Sequence, residues 1–218
     1  MHDGIKGSLT KPMIDLKNSD LFTPMKHEES GVTIHVLTRK VAPVQEAFYY
    51  VNDSMSIDGR YLWFYCAFPP SGNAGRGRTL GVVDFQTGEV RHFPESQFGE
   101  ASPYVDVHTG EVYWQGDRFV WKRSPLAIAP TELINQVPDE LIGDRQVLRA
   151  ATHLTRSADG LEFLSTLVCR LNGSSEAYRL TAEIFSSGIG SIASTTTPSS
   201  VPPTPMMCSS PRSSMETP

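Results

Sequence analysis

Apolar residues recur along this chain in short runs parted by polar turn residues, not at helical spacing. The longest run, Tyr61–Phe68 (YLWFYCAF), holds eight consecutive apolar side chains and reads as a strand. Thr79–Phe85 (TLGVVDF), Val90–Pro94 and Phe119–Arg123 (FVWKR) are rich in β-branched and aromatic residues and predict further strands. Three segments share one layout, a strand, a two-residue turn and an apolar strand: SMSIDGRYLWFYCAF, YVDVHTGEVYWQ and LTRSADGLEFLSTLV. Their turns, Asp58-Gly59, Thr109-Gly110 and Asp159-Gly160, lie about 50 residues apart. Glycine in such a turn supplies the positive φ that a tight hairpin needs. A second phase of the repeat sets Gly31 and Gly88 ahead of β-rich stretches in Glu28–Thr38 and Asp84–Phe93.

A unit of about 50 residues with four short strands is the signature of a β-propeller blade. The first blade is predicted over Phe48–Asn52, Tyr61–Phe68, Thr79–Phe85 and Val90–Pro94. The second starts near Pro103, and the third near Ala151 with a hairpin around Asn172-Gly173. Val32–Thr38 has no inner strands before it, so it is expected to be an outer strand that closes a ring by joining the last blade. A sandwich with coincidental turns is the competing architecture. A propeller ring holds about four to eight blades, and this chain supplies about three. The expected fold is therefore all-β, a partial β-propeller.

Composition explains where the pattern stops. From Ser186 to Pro218 the chain is mostly Ser, Thr and Pro with no aromatic residue, and it cannot bury enough apolar surface to offset its ordering entropy. The predicted organisation is an N-terminal extension over 1–27, a partial β-propeller over 28–185 and a disordered tail over 186–218. The abrupt change near Phe185–Ser187 is what a truncated or misjoined reading frame produces; a genuine tail on a small open sheet is the alternative. The net charge of -5 argues against a nucleic-acid partner. No apolar run is long enough to predict a membrane span. The N-terminus, MHDGIKGSLTKPMIDLK, has no apolar h-region, which points to the cytoplasm for the sequence as written; a secreted or periplasmic location stays open for an incomplete N-terminus. Cys66, Cys169 and Cys208 are odd in number and share no CxxC spacing, so they suggest neither a disulfide framework nor a zinc site.

Aligning the three turns puts Asn52, Pro103 and His153 at corresponding places on strands that would line a central channel. Strand alternation sets Tyr50, and Arg149 or Ala151, near the same side. His153 is the leading chemical candidate, as base, charge neutraliser or metal ligand; the plainer reading is a polar channel residue that stabilises inner strands. His108 reads as a solvated turn residue, and His27, His35 and His92 as surface groups on outer strands. No histidine pair has metal-site spacing. The loop Pro69–Arg78 is glycine-rich and basic but lacks the Lys-Ser/Thr of a phosphate loop, leaving Arg76 and Arg78 as rim charges for an anionic substrate. Asp139 and Glu140 read as a solvated face. The connection Ser124–Gln146 is expected to be a long excursion with a short helix that walls a cleft.

The stretches SGVTIHVLT, AFYYVNDSMSIDGRYLWFYCAF and TLGVVDFQTGEVRHFPE resemble the opening of polysaccharide lyases of the oligogalacturonate lyase and ulvan lyase type. ATHLTRSADGLEFLS is similar to their later inner strand, which carries a histidine ahead of an S-x-D-G turn. The resemblance spans roughly Asp20 to Leu180, and S-x-D-G blades also occur in unrelated propellers. It implies a seven-bladed ring, of which this chain holds about three blades. It also implies β-elimination on acidic oligo- or polysaccharides at a uronic acid. His153 would then be the base or the partner of the sugar carboxylate, Asn52 and Tyr50 would give neighbouring hydrogen bonds, and Arg149 is a weaker partner for the carboxylate. A divalent metal in the complete protein stays open. The family's further His, Tyr and Arg residues come from later blades, so the expectation for this chain is little or no lyase activity. A non-catalytic propeller module binding a protein or a glycan is the alternative.

Overall fold

The structure, a computed structural model, describes residues 19–72, 77–99, 102–137, 139, 146–150, 153–158, 162–171 and 174–183. It is all-β, and every strand pairing is antiparallel. A hairpin of β1 (Phe22–Lys26) and β2 (Thr33–Leu37) comes first. The first four-stranded sheet follows in chain order: β3 (Val44–Glu46), β4 (Tyr61–Ala67), β5 (Arg78–Asp84) and β6 (Glu89–Phe98). The second is β7 (Tyr104–Val105), β8 (Val112–Gly116), β9 (Phe119–Arg123) and β10 (Thr131–Gln136). In the third, β14 (Ser174–Glu183) pairs along the length of β13 (Glu162–Leu171), while β11 (Gln146–Ala150) and β12 (Thr155–Arg156) share its other edge. The sheets stack in a propeller-like manner and, among the described residues, do not close into a ring.

Strand alternation explains the stacking. Tyr61, Trp63 and Tyr65 of β4 face one way, with Leu80 and Val82 of β5, into a core completed by Val105, Val112 and Trp114 of the second sheet. Phe64 and Cys66 face the other way, with Val83 and Phe85, against Leu21, Phe22 and Leu37 of the hairpin segment. The second sheet repeats the device: Tyr113 and Val120 turn from the first sheet toward Leu154 and Phe163 of the third. Burying one large apolar side chain contributes roughly 1.5–3 kcal/mol, so these seams outweigh any single polar contact. Two glycines are set by close approach. A Cβ on Gly81 would stand 2.4 Å from the Phe64 ring, and one on Gly110 would stand 2.9 Å from Tyr61 Cδ2 of the first sheet, where φ is also +73°.

Asp84 anchors the turn end of the first sheet. It is fully buried, and Arg60 donates to both its oxygens, Nε to Oδ1 at 3.2 Å and Nη2 to Oδ2 at 3.1 Å. Gln86 N–H adds a bond at 2.9 Å, and Arg91 Nη2 lies 3.5 Å from Oδ2. Burial by itself would raise this carboxyl, but the Arg60 and backbone hydrogen bonds and the Arg60 charge hold it below its ordinary value. Asp106 is likewise held low against burial, by Arg156 of the third sheet and by the N–H groups of His108 and Thr109.

Several expectations need correction. Phe48–Asn52 is not a strand: Asn52 N–H donates to Tyr49 O at 3.1 Å in a turn, with Phe48 buried against Tyr65. The inner edge of β4 is covered instead by β3 and by an isolated bridge between Met55 and Leu62. β2 does not join the last sheet; it pairs with β1, which lies inside the segment assigned to an N-terminal extension. Ser124–Gln146 is not one long excursion, because it holds β10, the outer strand of the second sheet. The third sheet begins at β11, ahead of Ala151. β13 and β14 pair from Leu171↔Ser174, which fits the hairpin expected at Asn172-Gly173. The tail over 186–218 lies outside the described residues.

Gly81→Ala is expected to lower stability by about 2–3 kcal/mol through overpacking against Phe64. Gly88→Ala, strained in φ but open in space, is expected to cost about 1 kcal/mol. Urea unfolding of the two variants checks the order. Asp84 and Asp106 have folded pKa values below the 3.8 of an ordinary aspartate, so the stability they confer is present above that value and is lost as pH falls through the lower folded ones. Asp84→Asn is expected to cost about 2–3 kcal/mol at neutral pH, because Arg60 loses its buried partner. The same variant should flatten the acid limb of a stability-against-pH curve.

Candidate functional site

Asn52, Pro103 and His153, which hold corresponding places before the three turns, meet on the side away from those turns. Asn52 Nδ2 donates to Pro103 O at 2.5 Å and to Leu154 O at 3.4 Å, so one amide ties the first sheet to the second and the third. Leu154 N–H donates to Ser102 O at 3.1 Å, and the buried hydroxyls of Tyr65 and Ser102 share a bond of 2.7 Å. These contacts lock the start of each inner strand to its neighbour.

An aromatic rim sits on this junction. The His153 ring stacks on Tyr49 with centroids 4.8 Å apart and planes 12° apart. Tyr49 in turn lies against Tyr50 at 4.4 Å. Tyr50 is 84% exposed, and Tyr49 and Val51 are exposed beside it. The neighbouring Tyr50 hydroxyl raises the Tyr49 pKa, with a smaller push from burial. His153 is half-buried, and its Nδ1 is shut from solvent with no hydrogen-bond partner among the described residues.

The structure thus brings Tyr50, Asn52 and His153 together. Both amide hydrogens of Asn52 are directed at backbone carbonyls, so this side chain acts as a brace. Arg149 lies on β11 with its backbone opposite Val168, and its side chain is outside the described residues. Tyr49 was missed from sequence. Its signal was the doublet Tyr49-Tyr50, which a regular strand would point to opposite faces and which a turn sets side by side.

The remaining candidates are placed elsewhere. Arg78 lies over the Tyr65 ring at 4.5 Å, and Arg76 is outside the described residues. His108 is an exposed turn residue, and Asp139 is an exposed partner of Arg118. His27 is exposed and bonded to Ser30 at 2.9 Å. His92 and His35 correct the surface assignment. His92 packs on Phe68 and shares a bond of 2.8 Å with Thr79 Oγ1, and burial lowers its pKa. His35 turns inward, its Nδ1 buried without a partner among the described residues. Burial pushes the Cys66 thiol up to about 12, which removes it as a nucleophile at neutral pH. Among the described residues no cluster of three His, Cys, Asp or Glu side chains could hold a metal ion.

No family model matches the chain, and no curated protein matches it. Among solved structures it is similar to the crystal structure of TolB from Acinetobacter baumannii, at 17% identity and a TM-score of 0.43 over 78% of this chain. The chain spans 37% of the length of that structure.

Asn52→Ala leaves the Pro103 and Leu154 carbonyls without the amide, and is expected to lower stability by about 1–3 kcal/mol. Tyr50→Ala, at a side chain nearly all in solvent, is expected to stay within about 0.5 kcal/mol. Thermal and urea unfolding of the pair separate a brace from a presented side chain.

Proposed function

We propose that this chain is a non-catalytic β-propeller-type binding module, carrying about three blades, which meets a glycan or protein partner at the Tyr49–Tyr50–His153 rim. One observation carries the reading: an aromatic shelf, exposed at Tyr50 and unneeded by the core, hangs on a junction where three sheets are tied by Asn52. Tyrosine offers a large contact area with few rotors, so a braced tyrosine shelf suits stacking on a sugar face or an apolar protein surface.

The rival reading is the β-eliminating uronate lyase implied by the sequence resemblance. What supports it is that Tyr50 and His153 share one rim. Elimination needs a base free to reach the sugar proton and a cation or donor at the carboxylate. Here the His153 ring is stacked flat on Tyr49, and the Asn52 donors are committed to backbone carbonyls. The arrangement serves adhesion better than proton abstraction.

The test uses the full chain with oligogalacturonate and with ulvan oligosaccharides, followed by titration calorimetry and by the ultraviolet absorbance of a conjugated unsaturated uronate. The expected result is no absorbance rise, and any binding weakened about tenfold or more in Tyr50→Ala. An absorbance rise that His153→Ala abolishes would return the lyase reading. Binding that survives Tyr50→Ala unchanged would remove the rim from the account.

A further inference from the structure

The opposite end of the sheets presents a second apolar feature. Arg123, the last residue of β9, pairs with Val112, the first of β8, so the β9–β10 loop lies at the end of the Thr109-Gly110 turn, away from the tyrosine rim. The loop reads Ser124-Pro125-Leu126-Ala127-Ile128-Ala129-Pro130 and contains no charged residue. Ile128 is 96% exposed, and Leu126 and Leu133 of the adjoining β10 are exposed with it. A scattered surface isoleucine is ordinary. This one stands on a loop held from several sides.

The loop closes on itself, with Ala129 N–H donating to Leu126 O at 3.2 Å and Leu126 N–H to Ser124 Oγ at 3.3 Å. Two arginines then hold its carbonyls. Arg91 of the first sheet donates Nη1 to Pro125 O at 3.2 Å, and Arg123 donates Nη2 to Ala127 O at 3.4 Å. A tip fixed in this way has already lost conformational freedom that binding would otherwise remove.

In the ion pairs beside the tip, the carboxylates are the more exposed members. Arg91 is paired with Glu89, and Arg123 Nη1 bonds Glu95 Oε1 at 2.6 Å. The two guanidinium side chains are only 15% and 6% exposed, whereas the Glu89, Glu95 and Glu132 side chains are 57%, 43% and 53% exposed. Lys122, which pairs with Glu132, is itself mostly covered. What a partner meets is an apolar point flanked by the exposed carboxylates of Glu89, Glu95 and Glu132. Anionic lipid surfaces repel such carboxylates.

We infer that the tip carrying Leu126 and Ile128 is a docking knob for a protein partner, and that it fits an apolar pocket rimmed by lysine or arginine. This surface is independent of the tyrosine rim, and the two can be lost separately.

A minimal pocket of that chemistry tests the inference. An amino-substituted β-cyclodextrin is an apolar cavity ringed by ammonium groups, and its carboxylate-substituted counterpart reverses the charge alone. Each is titrated into the full chain with methyl-labelled isoleucine and leucine, with phosphatidylcholine–phosphatidylglycerol vesicles as a third arm. The Ile128 and Leu126 methyl signals are expected to shift with the amino form, and to respond at least about fivefold more weakly to the carboxylate form. Ile128→Ser keeps the net charge and the melting temperature, and should abolish the response at Leu126. Tyr50→Ala should leave it unchanged. No shift at these methyls, equal response to both cyclodextrins, a Leu126 response that persists in Ile128→Ser, or broadening of the same methyls by vesicles would each overturn the inference.

Discussion

A strand with apolar side chains on both faces has to be covered twice, and this requirement orders the chain. β4 is the extreme case: Tyr61, Trp63 and Tyr65 demand one neighbour, and Phe64 and Cys66 demand another. A sheet built on such a strand cannot stand at a surface, because leaving either face wet would forfeit several buried side chains at roughly 1.5–3 kcal/mol each. The second sheet therefore covers the first on one side and the hairpin covers it on the other. The same arithmetic passes to the next seam, where Tyr113 and Val120 of the second sheet meet Phe163 of the third. The hairpin shows the pattern at its outer limit: Leu21, Phe22 and Leu37 pack inward, while Met25, Ile34 and Val36 remain exposed.

Stacking by apolar faces sets distance but leaves sliding free, and polar contacts between sheets remove that freedom. Ile57 N–H donates to Val107 O at 2.7 Å, and Trp63 Nε1 donates to Gly110 O at 2.8 Å, both reaching from the first sheet to the turn of the second. At the other end Asn52 and the Leu154–Ser102 bond do the same work. Carbonyls at sheet junctions have no ladder partner, so a donor sent from the neighbouring sheet satisfies them and fixes register in one step. Gly110 shows how tightly these demands are coupled, since its carbonyl accepts from Trp63 while its missing side chain leaves room for Tyr61.

What was legible in the sequence follows from this division. β4, β5 and β9 could be read because their burial writes long apolar or β-branched runs. β3 and β7 are two or three residues long, too short to carry a period, and the aromatic run at Phe48–Val51 drew the strand assignment away from Val44–Glu46. β10 was hidden because an outer strand is half wet: TELINQ has a mixed polar pattern and a register shift between Leu133 and Asn135. The partner of β2 was hidden because FTPMK carries a proline and few apolar residues. The site was legible in part. Counting back from the turns located Asn52 and His153, because the repeat fixes those positions in space. It could not show that the Asn52 amide points into the junction, since that depends on carbonyls from two other sheets.

The two ends of the stack differ in a way that bears on function. Residues that carry the fold, such as Trp63, Asp84 and Asn52, are buried or committed to partners across a seam. Tyr50 and Ile128 are largely in solvent, yet each stands on braced backbone: Tyr50 beside the Asn52 junction, Ile128 next to carbonyls held by the arginines that also bind Glu89 and Glu95. Flexible apolar side chains on a loose loop would collapse onto the nearest surface. Held on braced turns, they stay in solvent, and the free energy of covering them is left for an incoming surface. The stack thus sets an aromatic shelf at one end and an apolar point flanked by carboxylates at the other, each carried on backbone that the seams have already fixed.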